Sequence, residues 1–593
     1  MTFKQLSIYF AKIEDTSSRL KITEIIADLF DKISDKEIDK VLYLLQGRLT
    51  PLFIRLDFGL GEKMIIKALI EVVRVSEKTF ISNYKKIGDL GKTVEDLKNK
   101  NHQFPKKDIS IIEVFNRLNE IAKCGGFGSQ EKKTSLFTEL VKGLDPLSAR
   151  FVVRIPTNTL RLGFSDMTIL DGFSWMLTGN KSLRPKIEKA YHVRPDIGYI
   201  GQQIKKSGIA GLTQVKPKLF TPIIMMKAER LSSATDILEK APKAIIEPKY
   251  DGFRLQIHAN KSDVKLYSRS LEDVTFMYPD IVDGVKKEVV ADEIILEGEA
   301  IGFHVESNSF LPFQETVQRK RKYDIAEKVK EIPLKLFAFE ILYSNGVNYL
   351  NIPLEKRRRV LEKSIKLTGS KSTDTLLISP EEIVDSEKKI NLAFEDAVSK
   401  GLEGIMVKKL DGIYQPGARG WNWIKYKRSY SSKITDTIDC LVMGYDSGKG
   451  KRSDFGIGAF LAGIYDDKSL RFQTVAKIGT GLTDEEWKTL KKRSDKFKTA
   501  QKPNQYLVDK MMEVDVWIKP EIVVEIRADE LTRSPSHTAG RTLKKSKSGS
   551  AYEVDIPGYA LRFPRLERFR NDKKPEDVTT LTEIEKIFKQ QKH

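Results

Sequence analysis

The sequence predicts a multidomain α and α+β protein, with an all-helical N-terminal domain (1–222), an α+β domain (223–430) and a small C-terminal β-barrel (431–593). Three observations predict it. The chain has 593 residues, too long for a single hydrophobic core. Its first 220 or so residues repeat apolar positions at helical spacing, whereas strand-like alternation dominates from about 240 to 428. Beyond 431 the strands become short and Gly- and Lys-rich turns separate them.

The helical half is clearest in KITEIIADLFDKI, where Ile22, Ile25, Ile26, Leu29, Phe30 and Ile33 recur at i, i+3, i+4 and i+7 as a core-facing stripe. GEKMIIKALIEVV and IIEVFNRLNEIAK repeat the pattern, and GGFGSQ at 125–130 breaks it. The segment FVVRIPTNTLRLGFSD carries Arg154 and Arg161, candidates for a phosphate-contacting surface. KPKLFTPIIMMKAERL, with two prolines, reads as the linker into the second domain. There AIIEPKY, FRLQIHA, VKLYSRS, EIILEGEAIGF, LKLFAFEILY, GIMVKK and WNWIKYKR read as strands. IPLEKRRRVLEKSI and KINLAFEDAVSKG read as helices between them. In FRLQIHA the apolar Phe253, Leu255, Ile257 and Ala259 alternate with Arg254, Gln256 and His258, the pattern of a half-buried strand with a polar face. The last region opens on TIDCLVMGYD and closes on a charged helix, LTEIEKIFKQ. Its basic loops suit an oligonucleotide-binding (OB-fold) barrel.

Composition narrows the partners. With 102 Lys and Arg against 82 Asp and Glu, the chain carries a net charge of +20, which favours a polyanion, nucleic acid before an anionic membrane. No apolar run is long enough to span a bilayer and the N-terminus lacks a signal-peptide core, so an intracellular protein is expected. Two cysteines, Cys124 and Cys440, are too few for a disulfide framework or a paired-cysteine zinc site, and read as buried thiols.

The chemistry gathers on the second domain. Lys249 stands just before the turn Asp251-Gly252 in EPKYDGFR. Glu299 lies inside the apolar strand IILEGEAIGF, Glu403 opens EGIMVKK with Lys408 after it, and Lys425 and Lys427 share one face of WIKYKR. Charges in buried strands are costly unless paired or bound to ligand. A triphosphate with a divalent metal satisfies carboxylates and lysines together. A lysine amine attacks only when neutral, from a free pKa of about 10.4. Neighbouring cations such as Lys408, Lys425 or Arg254 favour loss of its proton, and Glu299 and Glu403 offer hard oxygens to Mg²⁺.

The ordered set KYDGFR, YSRSLEDVT, LEGEAIGF, LFAFEILY, EGIMVK and WIKYK resembles the motif series of the covalent nucleotidyltransferases, and specifically of ATP-dependent DNA ligases of the archaeal and eukaryotic replicative type. FVVRIPTNTLRLGFSD and YALRFPRLERFRNDKKPED extend the resemblance to nearly the whole chain. The resemblance implies that Lys249 is the adenylated nucleophile and that Glu247 accepts from the adenine amino group. It implies that Arg254 and Arg269 contact ribose, phosphate or the DNA end, that Phe339 stacks on the base, and that Glu299 and Glu403 serve ribose and metal. Arg419, Lys425 and Lys427 would reach the phosphates, while Arg562, Arg565, Arg570 and Lys573 orient the pyrophosphate. Two positions depart from the family: Ser270 where Asn is usual, which removes a side-chain amide beside Arg269, and Glu297 where Asp is usual. The implied cofactors are ATP and Mg²⁺, and the implied partner is nicked double-stranded DNA, with a sliding clamp as a further candidate and a monomer expected. The rival readings are an RNA ligase or capping enzyme, which share the lysine, and a basic non-catalytic scaffold.

Overall fold

A computed structural model describes residues 1–102, 108–160, 162–304, 309–311, 313–321, 323–369, 373–400, 402–427, 437–448, 455–545 and 552–590. The chain divides into two compact units, Met1–Lys425 and Tyr426–His593.

The first unit begins with twelve α-helices between Phe3 and Ser207 among the described residues. Local sequence sets their ends. Thr2 and Gln5 form a reciprocal capping box on the first helix, and Ser18 caps the helix Arg19–Lys32. That second helix buries Ile22, Ile26, Leu29 and Phe30, and Phe30 stacks on Phe173 with ring centroids 4.3 Å apart. The break at 125–130 is real: Gly126 and Gly128 take φ of 87° and 72°, conformations that glycine adopts without strain.

Two sheets follow. Their strands are β1 (Lys227–Arg230), β2 (Ala244–Pro248), β3 (Phe253–Asn260), β4 (Val264–Ser268), β5 (Glu293–His304), β6 (Ser309–Phe310), β7 (Leu334–Ser344), β8 (Val347–Asn348), β9 (Leu376–Ile378), β10 (Glu382–Val384), β11 (Gly404–Lys409) and β12 (Arg419–Lys427). The first sheet runs in the order β1-β12-β11-β2-β10; the second runs β4-β3-β5-β7-β8, with β6 on β5 and β9 on β7. Helices Pro279–Glu288 and Leu354–Ser364 lie with the second sheet, contributing Ile281, Val285 and Leu361 to its core. A further apolar cluster joins Ile223, Met226, Ile295, Leu342, Tyr414 and Trp423, with Phe339 packed against it.

The expected polar face of β3 is not solvated. Gln256 and His258 are both fully buried. The backbone of residues 220–226 covers them: Phe220 N–H donates to His258 Nδ1 at 3.0 Å, and Ile223 exchanges two bonds with the Gln256 amide at 2.7 and 3.0 Å. The stretch read as a linker is therefore packed structure, with Met226 also fully buried.

The second unit is a curled β-rich domain built on β13 (Ile438–Asp446), β14 (Ala459–Asp466) and β15 (Arg471–Ile478). β13 pairs antiparallel with β14, with Val516–Ile518 and with Val523–Arg527, and the last of these pairs with Arg565–Phe569. The helix Leu581–Gln590 ends it, with Ile584 in the core. Cys440 is buried there, whereas Cys124 in the first unit is half-buried, against expectation. No helix among the described residues is long and apolar enough to cross a membrane.

Candidate functional site

Lys249 sits where the chain crosses from one sheet to the other, between the end of β2 in the first and the start of β3 in the second. Two backbone constraints hold the crossing. Lys249 N–H donates to Gly404 O at 2.9 Å. Gly252 lies so close to Ala300 O of β5 that any side chain there would collide with it.

The crossing brings one carboxylate from each sheet to the amine. Glu403, just ahead of β11, places Oε2 2.7 Å from Lys249 Nζ. Glu299, on β5 opposite Arg254, accepts from Gly252 N–H at 3.2 Å. Burial pushes the Glu299 carboxyl up to about 7, against the charges of Lys249 and Arg254 and that N–H bond. The group at ion-pair distance from the amine is thus an acid, not one of the cations expected there. Lys408 and Arg254 are committed elsewhere, because each neutralises a buried carboxylate of its own.

Arg254 donates to Glu297 Oε2 at 2.7 Å and to Met226 O at 2.8 Å. Glu297 is fully buried and also accepts from Gln256 Nε2 and Tyr414 OH, each at 3.0 Å. The usual Asp is one methylene shorter, and here Glu297 meets three donors. Lys408 Nζ, almost fully buried, lies 2.7 Å from Glu247 Oε2 and donates to Phe339 O at 3.2 Å. It stands 4.7 Å from the Phe339 ring and 4.8 Å from that of Trp423. Arg358, from the helix Leu354–Ser364, reaches Glu247 Oε1 at 3.4 Å.

Of the other expected residues, Arg269 is exposed on the turn after β4, and Arg419 is exposed at the start of β12 opposite Lys227. Lys425 and Lys427 are half-buried on β12. Ser270 is exposed and bonds Ser268 and Glu272 at 3.0 and 3.2 Å. In the second unit Arg562 pairs with Glu530 at 2.7 Å, while Arg570 and Lys573 converge on Asp439 at 3.0 and 2.7 Å. Arg565, 3.8 Å from Asp529, keeps 59% of its side chain exposed.

A further expectation fails at Arg154. Arg154 is not a surface group: it is 5% exposed, donates to both Asp89 oxygens, and pairs with Glu14 at 3.0 Å. Two carboxylates already neutralise it, so it offers no guanidinium to a phosphate. Arg161 lies outside the described residues.

Sequence reasoning missed Arg358, Tyr414 and Trp423. A signal for the first existed. Leu354, Arg357, Arg358 and Leu361 stand at i, i+3, i+4 and i+7, so the two arginines share the core-facing stripe.

The family model for the ATP-dependent DNA ligase domain matches residues 225–427, that for the DNA ligase N terminus residues 2–174, and that for the ATP-dependent DNA ligase C-terminal region residues 453–573. The chain is 44% identical to the probable DNA ligase of Dictyoglomus turgidum, covering all of this chain and 98% of that protein. It is 39% identical to the DNA ligase of Saccharolobus solfataricus at the same coverage. The solved structure named Pmar-Lig_PreS3 covers 95% of this chain and 99% of its own at 18% identity and a TM-score of 0.51, a likeness of fold alone.

Proposed function

The chain belongs to the ATP-dependent DNA ligase family, and on that premise we propose that Lys249 is the nucleophile through which it seals nicks in duplex DNA. The observation that carries this reading is the amine held at the junction of two sheets, 2.7 Å from Glu403 and close enough to Glu299 to oppose the effect of its burial.

The amine must be neutral to attack, and Glu403 is placed to receive its proton. Lys249 Nζ attacks the α-phosphorus of ATP; the N–P bond forms, the bond to the β-phosphate's bridging oxygen breaks, and pyrophosphate leaves with the electron pair. A 5′-phosphate oxygen at the nick then attacks the same phosphorus; the N–P bond breaks, AMP passes to the DNA end, and the lysine leaves as an amine that recovers a proton. Last, the 3′-hydroxyl attacks the 5′-phosphorus, joining the strand and expelling AMP. Each step is phosphoryl transfer, so positioning and charge do most of the work. Phe339 offers a ring for the base and Glu247 an acceptor for its amino group. Lys425, Lys427 and Arg419 supply cations for the phosphates. Arg565, the most exposed of the four expected cations in the second unit, is the one best able to meet the pyrophosphate.

Mg²⁺ fits Glu299 and Glu403, since this ion is usually held by one or two carboxylates plus substrate phosphates, and among the described residues no cluster of three ligating side chains offers a closed cage. When bound, it neutralises charge on the transferring phosphoryl oxygens. A single assay tests the reading. Incubation with α-labelled ATP and Mg²⁺ should label the protein, and a nicked DNA duplex should discharge the label into sealed strand. Lys249→Ala should leave no label. Labelling by GTP with discharge only onto RNA ends would instead favour a capping enzyme or RNA ligase, and an unlabelled wild type would leave a DNA-binding scaffold.

A further inference from the structure

Glu247 is 4% exposed, two residues before Lys249, yet two cations meet it from different elements. Lys408 of β11 takes one oxygen at 2.7 Å, and Arg358 takes the other at 3.4 Å. Arg358 is itself 5% exposed and pinned: it donates to Ser379 O, and its Nε lies 3.1 Å from Glu362 and 3.2 Å from Glu381. Burial raises the Glu247 carboxyl, Lys408 and Arg358 oppose the rise, and Glu340 adds to it.

The protonation state of this carboxyl decides what it can recognise. Ionised, it only accepts hydrogen bonds; protonated, it can also donate one. The exocyclic group at position 6 is a donor amine in adenine and an acceptor oxygen in guanine. We propose that Arg358 is a specificity-determining positioning residue, which holds Glu247 as a pure acceptor and so makes the site take a 6-amino purine nucleotide and refuse a 6-oxo one. This rests on the reading of Lys249 as the nucleophile and extends it to the choice of nucleotide. Lys408 cannot supply the discrimination alone, because it also serves the Phe339 carbonyl and lies between two rings. Arg358 acts on the base through Glu247, whose Oε1 it reaches at 3.4 Å.

Removing the guanidinium leaves the burial of Glu247 opposed by one cation instead of two. The carboxyl then takes up a proton and gains a donor suited to a 6-oxo group. Sites built to hydrogen-bond one partner reject the mismatched one by as much as about 10⁴–10⁵, so a relaxed site is readily seen.

The experiment measures kcat/KM for self-adenylation and self-guanylylation, with α-labelled ATP and GTP, in wild type, Arg358→Met and Arg358→Lys. Arg358→Met should narrow the ATP-to-GTP ratio at least tenfold, and Arg358→Lys should restore most of it. Glu247→Gln, whose amide both donates and accepts, should narrow the ratio as well. Loss of activity with both nucleotides in equal proportion would show that Arg358 only supports the fold, and would overturn the proposal while leaving Lys249 as nucleophile. An unlabelled wild type would overturn the nucleophile reading itself.

Discussion

His258 shows how one side chain can report the covering of a whole strand. Its Nδ1 accepts from Phe220 N–H at 3.0 Å, so the ring is neutral with its proton on Nε2, toward Gln256. Burial pushes its pKa down from 6.5 to about 3. Because the folded value is depressed, the unfolded chain binds the extra proton between these limits. Stability is therefore complete above about pH 6.5 and falls as pH drops toward 3, by about 1.4 kcal/mol per unit for this one group. Denaturant titrations at pH 5 and 7 should show that slope in wild type and about one proton less of it in His258→Gln; an unchanged slope would contradict the assignment. Arg154 gives a second prediction. As the centre of a buried pair with Glu14 and Asp89, its replacement by Met should lower stability by about 3–5 kcal/mol. The salt dependence of DNA binding should not change, whereas loss of a true phosphate contact reduces that slope by about one.

Among the elements, the helix Leu354–Ser364 has the largest hidden role. Arg357 is fully buried and donates to both oxygens of Glu340 on β7 at 2.8 Å, and to Gly412 O at 2.9 Å. Its neighbour Arg358 holds Glu247. Arg357→Met should strand Glu340 in the core and cost about 3–5 kcal/mol, read as a fall in the unfolding midpoint, and Glu340→Gln in the same background should recover part of it. In the sequence this helix is a basic amphipathic segment, and its spacing places Arg357 and Arg358 on the inner stripe without saying what meets them there. A run of three arginines looks the same whether water or carboxylates answer it, and the answering residues, Glu247 and Glu340, lie 111 and 17 positions away. The strands were easier to read. β3, β5, β7, β11 and β12 all stand where alternation and the motif order place them, since period-2 patterning survives whatever covers the sheet. What covers it is not encoded locally. Alternation gives β3 a polar face, and the backbone of a Pro-containing stretch rather than water satisfies Gln256 and His258 there. The same limit explains Arg154, whose acidic partners lie 65 and 140 positions away.

Across the whole molecule the net charge of +20 predicts a large electrostatic contribution to DNA binding. If the protein meets roughly 6–10 phosphates, binding should weaken by about 10³–10⁵ between roughly 50 and 200 mM salt, as read by fluorescence anisotropy on a nicked duplex. A nearly flat response would argue against broad engagement of the backbone. Finally, the clasp formed by residues 220–226 bears on how the protein can be divided. A recombinant fragment starting at Lys227 would strip the amide donors from Gln256 and His258 and bare Met226's neighbours to solvent, so it should emerge insoluble. One starting near Lys216 carries its own cover and should be purifiable as a working nucleotidyl-transfer module.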